Sequence, residues 1–426
     1  MKKLLDDKKF YKFVIPSIGA MLVTGLYFVV DGIFVGRGVG TAGLAAVNIA
    51  VPFISLLTAF TMMIAMGGGT LASIEFGRNN YKKANEYFNL SLVIVILFAL
   101  FMTFVSLIFP IQVARFLGAS KVLENEVAVY LKYYVIFGIF FCGSSILSVF
   151  VRNDNNPELA LWGMLVGALT NIFLDWLLVF PLKMGLKGAA IASGLGQILA
   201  CLVLFSHFLG SEKKLKISFT IFDRDSIFEI IKIGRPEFIT QMSQPVTILC
   251  YNYLAMKIFG DMGVAAFSVI SYILVIVICI FTGLGQGIQP LISHSVGENK
   301  KEKANYFFKK GIKLNILLSI FMYVTMLVFG KKIISVFNPN VVLVDMAYRC
   351  INVYGISFIF ASVNIVFIIY YLATKNTNHA LIISGLRSFI LNVLFIFCIP
   401  IMLGKNFIWS GMIVAELSVM LVAIFV

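Results

Sequence analysis

Apolar runs of eighteen residues or more recur from one end of this chain to the other. A run of that length exceeds the buried helices of a soluble domain and matches what a helix needs to cross a bilayer. Backbone groups in lipid must bond within their own segment, so such runs fold as helices. The composition agrees: 426 residues, 60% hydrophobic and only 13% charged, with three histidines. We expect an all-α membrane protein with twelve transmembrane helices, the first over 13–36 and the last over 408–426, each near or above the ~20-residue minimum. Residues 127–151 and 345–373 read as single spans, and 229–259 and 264–294 as two separate ones.

The formal net charge of +14 would suit a nucleic-acid partner, but its distribution does not. Basic residues gather in alternate loops, around Lys8, Lys82, Lys213, Lys300 and Lys375, with Arg152 and Arg387 counted among them. That bias sets topology and places both termini in the cytoplasm. Nucleic acid is thereby excluded as a partner, and the lipid bilayer is expected. The first apolar segment lacks a small-residue cleavage site and follows Asp6 and Asp7, so it reads as a retained helix. Six cysteines form no CxxC and read as packing residues. His207, His294 and His379 form no cluster, and no ATPase loop or protease motif occurs. Gly67, Gly68 and Gly69 read as a close-packing stretch of the second helix. These features argue against an enzyme and against any cofactor.

The chain aligns with itself at a shift of 220 residues: Pro16 falls on Pro236, Gly40 on Gly260, Gly67 on Gly287 and Asn156 on Asn376. The charged loop 77–88 matches 297–308, and the Asn171 helix matches the Asn392 helix with small gaps. We therefore expect two pseudo-symmetric six-helix bundles in parallel orientation, a transporter architecture. The N-terminal lobe is residues 1–209, the cytoplasmic linker 210–228 and the C-terminal lobe 229–426.

Asp31 and Asp175 sit inside spans of the first lobe. An aspartate near mid-membrane costs about 2.5–3.5 kcal/mol on insertion scales. Such acids ordinarily bind an ion, relay a proton or meet a substrate, although hydrogen bonding between helices is the alternative. Helical rise places Asp31, Asp175 and Ser193 at one level, about 7–9 Å from the outer boundary. Tyr27 precedes Asp31 by four residues and Asn171 precedes Asp175 by four, so each pair shares a helix face. Carboxylate, amide and hydroxyl oxygens suit Na⁺, with Asp31, Asp175, Asn171 and Ser193 as candidate ligands. Burial also disfavours a charged carboxylate, so the same pair can host a proton. Tyr27, Asn171 and Ser193 read equally well as plain helix bridges.

The second lobe lacks this pair, with Tyr251 where the first has Asp31. It offers Glu237, Gln241 and Gln244 on helix seven and Glu416 on helix twelve as candidate cavity residues. Glu237 reads first as a helix-start carboxylate paired with Arg235. Glu416 is deep enough in its span for a functional role.

Tyr27-x3-Asp31, the run 31–47, Asn171-x3-Asp175 and Pro16 together resemble the multidrug and toxic compound extrusion (MATE) family of bacterial transporters. The resemblance covers nearly the whole chain. It implies a secondary antiporter in the bacterial plasma (inner) membrane that exports small cationic amphiphilic drugs in exchange for H⁺ or Na⁺, by alternating access of two lobes. Asp31 and Asp175 would be its ion- or proton-binding carboxylates, with Tyr27, Asn171 and Ser193 completing the network. Pro16 would be a hinge in a helix whose bending is linked to substrate release; an ordinary first-turn proline is the plainer alternative. Some members carry an acid in helix seven where this chain has Gln244, and an aspartate in helix ten absent between Tyr348 and Thr374. A second-lobe Na⁺ site of that kind is therefore not expected. A monomer is expected. The competing function is a flippase for lipid-linked saccharide, which requires cationic groups inside its cavity.

Overall fold

A computed structural model describes residues 2–210, 214–218, 223–337 and 339–425. These form helices and no strand. Helices α1 (Lys2–Gly38), α2 (Gly40–Gly77), α3 (Tyr81–Ile108), α4 (Pro110–Phe116), α5 (Glu124–Ile136), α6 (Gly138–Asn153), α7 (Pro157–Val179) and α8 (Gly185–Phe205) make the first half. The second half holds α9 (Arg224–Gly297), α10 (Lys301–Phe337), α11 (Val341–Tyr354), α12 (Ser357–Ala373), α13 (Thr377–Gly385), α14 (Leu391–Leu403) and α15 (Gly411–Phe425).

Among the described residues, nine helices are long and apolar enough to cross a membrane, and two bent pairs bring this to eleven. The pairs are α5 with α6, bent by 53°, and α11 with α12, bent by 50°. The 74-residue α9 breaks at Gly260 (φ 65°, ψ −156°), which divides it into two spans. The total agrees with twelve. The expected single spans 127–151 and 345–373 are thus bent helices, and the bends fall at corresponding places in the two halves.

The repeat is written into the backbone. Left-handed φ values occur at Gly40 (84°) and Gly260 (65°), at Asn79 (59°) and Asn299 (57°), and at Asn155 (67°) and Lys375 (62°). Each pair is separated by the same 220 residues. Glycine and asparagine adopt this region readily, whereas Lys375 does not. The turns they make let a short loop reverse a helix and restart it. Asn80 then caps α3 by accepting from the Lys83 amide (3.3 Å), and Asn156 caps α7 by accepting from the Leu159 amide (3.3 Å).

The halves meet backbone to backbone. A Cβ built on Gly77 would lie 2.2 Å from the His294 carbonyl oxygen, and one on Gly297 would lie 2.0 Å from that of Ile74. Ile74 and His294 are themselves repeat equivalents, so a pseudo-two-fold axis passes between these glycines. Residues 61–77 of α2 are all buried. Their small side chains, Gly67 to Gly69 included, admit this approach.

Polar bonds flank the junction. Arg152 donates to Gln286 (2.9 Å) and to Ser148 (3.1 Å), and Gln289 donates to Thr70 (2.9 Å). Tyr87 donates to Glu229 (2.6 Å), which also accepts from Lys375 (2.8 Å). Asp7 accepts from Tyr306 and Lys310. Arg152 is therefore no loop charge: it is 3% exposed.

Part of the 210–228 segment lies outside the described residues, Lys213 included. The part described, 214–218, is fastened to α3: Asn85 accepts from the Lys216 amide (2.6 Å) and Asn89 from that of Ser218 (2.9 Å). Beneath it Leu215 is buried beside a His207–Asp154 pair (2.9 Å). At its far end Asp223 caps α9, accepting from the Ser226 hydroxyl (2.5 Å). That bond, with two backbone amides, holds the Asp223 carboxyl below the usual carboxylate range.

Candidate functional site

Helix α1 runs along α7, and α7 is pressed onto α8 by small residues. A Cβ on Gly167 would lie 2.9 Å from that of Ala200, and one on Gly196 would lie 2.7 Å from the Gly167 carbonyl oxygen and 3.1 Å from Asn171 Cβ. This contact brings Asn171 beside Ser193, to which its amide donates (3.2 Å). Asp175, one turn along α7, is fully buried.

The first-half residues singled out in the sequence come together. The carboxyls of Asp31 and Asp175 lie within hydrogen-bond reach of each other, and the Tyr27 hydroxyl adjoins Ser193. Asp31 Oδ1, both carboxyl oxygens of Asp175 and Asn171 Oδ1 are buried without a donor of normal geometry among the described residues. Buried oxygens left unsatisfied are costly unless a proton or cation joins them. Two carboxyls in contact can share one proton, and the same oxygens with Ser193 Oγ suit a hard cation. A proton and a hard cation therefore both fit this donor set.

Three further neighbours carry no distinguishing mark in the sequence. Tyr130 and Tyr134 of α5, with ring centroids 6.0 Å apart, are buried against this cluster. Tyr272 enters from α9: a Cβ on Gly32 would lie 3.2 Å from its hydroxyl. Aromatic residues are so frequent here that only the fold distinguishes these three. Pro16 is buried in the interior of α1, not in its first turn. A proline there removes one helical hydrogen bond, the local condition for a bend.

The second half carries two buried carboxylates of its own, Glu237 and Glu416. Glu237, Gln241, Gln244 and Glu416 all line one cavity of about 180 Å³. Glu237 does not pair with Arg235: it is 3% exposed and accepts from Gln241 (2.8 Å), while Arg235 is exposed and bonds the Lys232 carbonyl. Residues two apart on a helix do not face each other, whereas i and i+4 share a face. Glu416 is held by Arg387 Nε (2.9 and 3.1 Å) and by the Asn364 amide (2.7 Å). Arg387, expected among the loop charges, stands instead inside the continuous span Thr377–Leu403 at 6% exposure. Where the first half has Asp31, Tyr251 is stacked among Phe267, Tyr354 and Trp409 at 5.0–5.8 Å.

Similar proteins bear on this arrangement. The multidrug export protein MepA of Staphylococcus saprophyticus is 26% identical over 396 residues, 90% of this chain and 85% of its own. That of Staphylococcus haemolyticus is 26% identical over 344 residues, 80% and 75%. Among solved structures, one described as the outward-facing conformation of a multidrug resistance MATE family transporter superposes with a TM-score of 0.93 at 19% identity, covering 99% of this chain and 94% of that one. A MOP superfamily transporter from Pyrococcus furiosus, described as having a binding pocket of reverse polarity, gives 0.91 at 20%, covering 99% and 94%. These likenesses establish the fold. A family model described as MatE matches twice, over 16–177 and 236–398. Its two matches coincide with the two copies that the backbone repeats, and by that double match the chain belongs to the MatE family.

Proposed function

We propose that this chain is a multidrug efflux antiporter of the plasma membrane that exports cationic amphiphilic compounds in exchange for H⁺ or Na⁺. The proposal extends to this chain what the names of the MepA relatives say of them. The observation that carries it is the contact of Asp31 with Asp175, whose oxygens Asp31 Oδ1, Asp175 Oδ1 and Asp175 Oδ2 are buried without a donor of normal geometry among the described residues. A bound ion neutralises them and lets the first lobe repack; a cationic drug competes for the same charge. That difference in interaction between two states is what exchange requires.

The lobes, residues 1–209 and 229–426, rock about the 210–228 linker in this reading. The glycine junction closes the cytoplasmic side while the substrate space opens outward. Both termini are cytoplasmic, and the chain works as a monomer. Pro16 supplies the bend in α1 that couples the ion site to that space, and Gln241, Gln244, Glu237 and Glu416 line the substrate cavity.

The deciding experiment is dye efflux from loaded vesicles under separately imposed Na⁺ and pH gradients. One gradient should drive ethidium export and the other should not. Export under neither gradient would remove the reading. Arg387 is a cationic group inside a cavity, as a pyrophosphate-binding flippase needs, but two carboxylates share that cavity with it. They disfavour a polyanion, so the flippase remains the weaker reading.

A further inference from the structure

The two copies of the repeat differ by one residue at an informative place. Ala160 falls on Ala380 at a shift of 220, yet Asn171 falls on Asn392 at a shift of 221. The second copy absorbs the extra residue as a π-helical turn, Leu386–Ile390, where α7 is α-helical throughout. Such turns cost helix stability and recur where a side chain must be re-aimed for function. This one carries Arg387 into the second-half cavity. Next to it Ser388 Oγ is buried without a partner among the described residues.

Arg387 is only partly used. It donates through Nε to Glu416, and its Nη1 and Nη2 groups have no acceptor among the described residues. Glu416 is already satisfied by Arg387 and Asn364. Across the same cavity Glu237 is buried with Gln241 as its one donor among the described residues. The walls between them include Phe267, Phe358, Ile365 and Met412. A guanidinium with a free planar fork matches a carboxylate in two parallel hydrogen bonds. A buried carboxylate short of donors takes an ammonium.

We propose that the second lobe holds a binding site of its own for amphoteric organic solutes, Arg387 taking their carboxylate and Glu237 their protonated amine. The aromatic and aliphatic wall receives the body of the molecule. That such solutes are cargo rests on the export reading above; their binding does not.

The test uses the purified full-length chain in lipid nanodiscs and two dyes that differ in one group. Rhodamine 110 bears a free carboxyl, and rhodamine 123 is its methyl ester. Fluorescence anisotropy at equilibrium should show the acid binding about tenfold more tightly than the ester. The Arg387→Lys variant keeps a cation for Glu416 but loses the fork, and should abolish that preference. The paired variant Arg387→Met with Glu416→Leu should do the same without stranding a charge. Glu237→Gln should weaken both dyes alike. Equal binding of the two dyes by the unaltered protein would overturn the proposal, and that measurement needs no variant to fold. Survival of the preference in both Arg387 variants would also overturn it. A preference lost with Arg387, but with neither dye exported from vesicles, would retire the export reading and leave the site standing.

Discussion

Gly67 of α2 and Gly234 of α9 bring the two halves into main-chain contact. A Cβ on Gly67 would lie 2.1 Å from the Ile230 carbonyl oxygen, and one on Gly234 would lie 1.9 Å from that of Met63. The obstructing atoms are backbone, so no side-chain rotation relieves the overlap. Gly67→Ala and Gly234→Ala should each destabilise this arrangement by about 1–3 kcal/mol through overpacking. Melting of the purified protein measures it. Gly385→Ala is the control, because a Cβ there meets nothing within 4 Å and the melting temperature should hold or rise.

Asp31→Asn and Asp175→Asn each replace half of a carboxyl pair with a group that cannot ionise. Ethidium efflux should fall by at least about tenfold, equivalent to some 1.4 kcal/mol of lost driving interaction. Membrane levels should match those of the unaltered chain, because an amide inserts more cheaply than an acid. Efflux by both variants at the unaltered rate would detach the pair from coupling.

The Arg387–Glu416 pair lies at 6% and 1% side-chain exposure. Glu416→Gln alone leaves a buried guanidinium without its counter-charge and should cost about 3–5 kcal/mol. Changing both, Arg387→Met with Glu416→Leu, should cost far less than the sum of the single changes. A double-mutant cycle on thermal melting reads the difference.

Asp154 accepts from His207 (2.9 Å), and the Leu215 amide reaches the same carboxyl oxygen at 3.5 Å. Asp154→Ala leaves the buried His207 Nε2 without its partner, at a cost of about 1–3 kcal/mol. It also loosens the 214–218 segment from its seat. Trypsin should then cut faster after Lys214 and Lys216, while cleavage after Lys121 stays unchanged as an internal reference.

Much of the fold was legible because lipid permits few solutions. Long apolar runs had to be helices, and a 220-residue shift had to be a repeat. Asp31 and Asp175 stood out because nothing in an apolar helix disguises a carboxylate. Arg387 was hidden by the same logic. Counting basic residues near helix ends treats each as a topology signal, and a one-residue gap looks like alignment noise until it appears as a π turn. Nearness in sequence pairs Glu237 with Arg235, whereas its partner in space is Gln241, one turn on. Tyr130, Tyr134 and Tyr272 cannot be singled out among 16 tyrosines, since the bend between α5 and α6 and the packing of α9 on α1 decide which of them reach the acids.

A seam formed by carbonyls and glycine methylenes has no interdigitated side chains to withdraw when it parts. Its peptide groups already bond within their own helices, so separation orphans no backbone donor on either face. Specificity of that joint then lies in shape rather than in chemistry. Sequences can drift widely around it while the smallness of a few positions is kept.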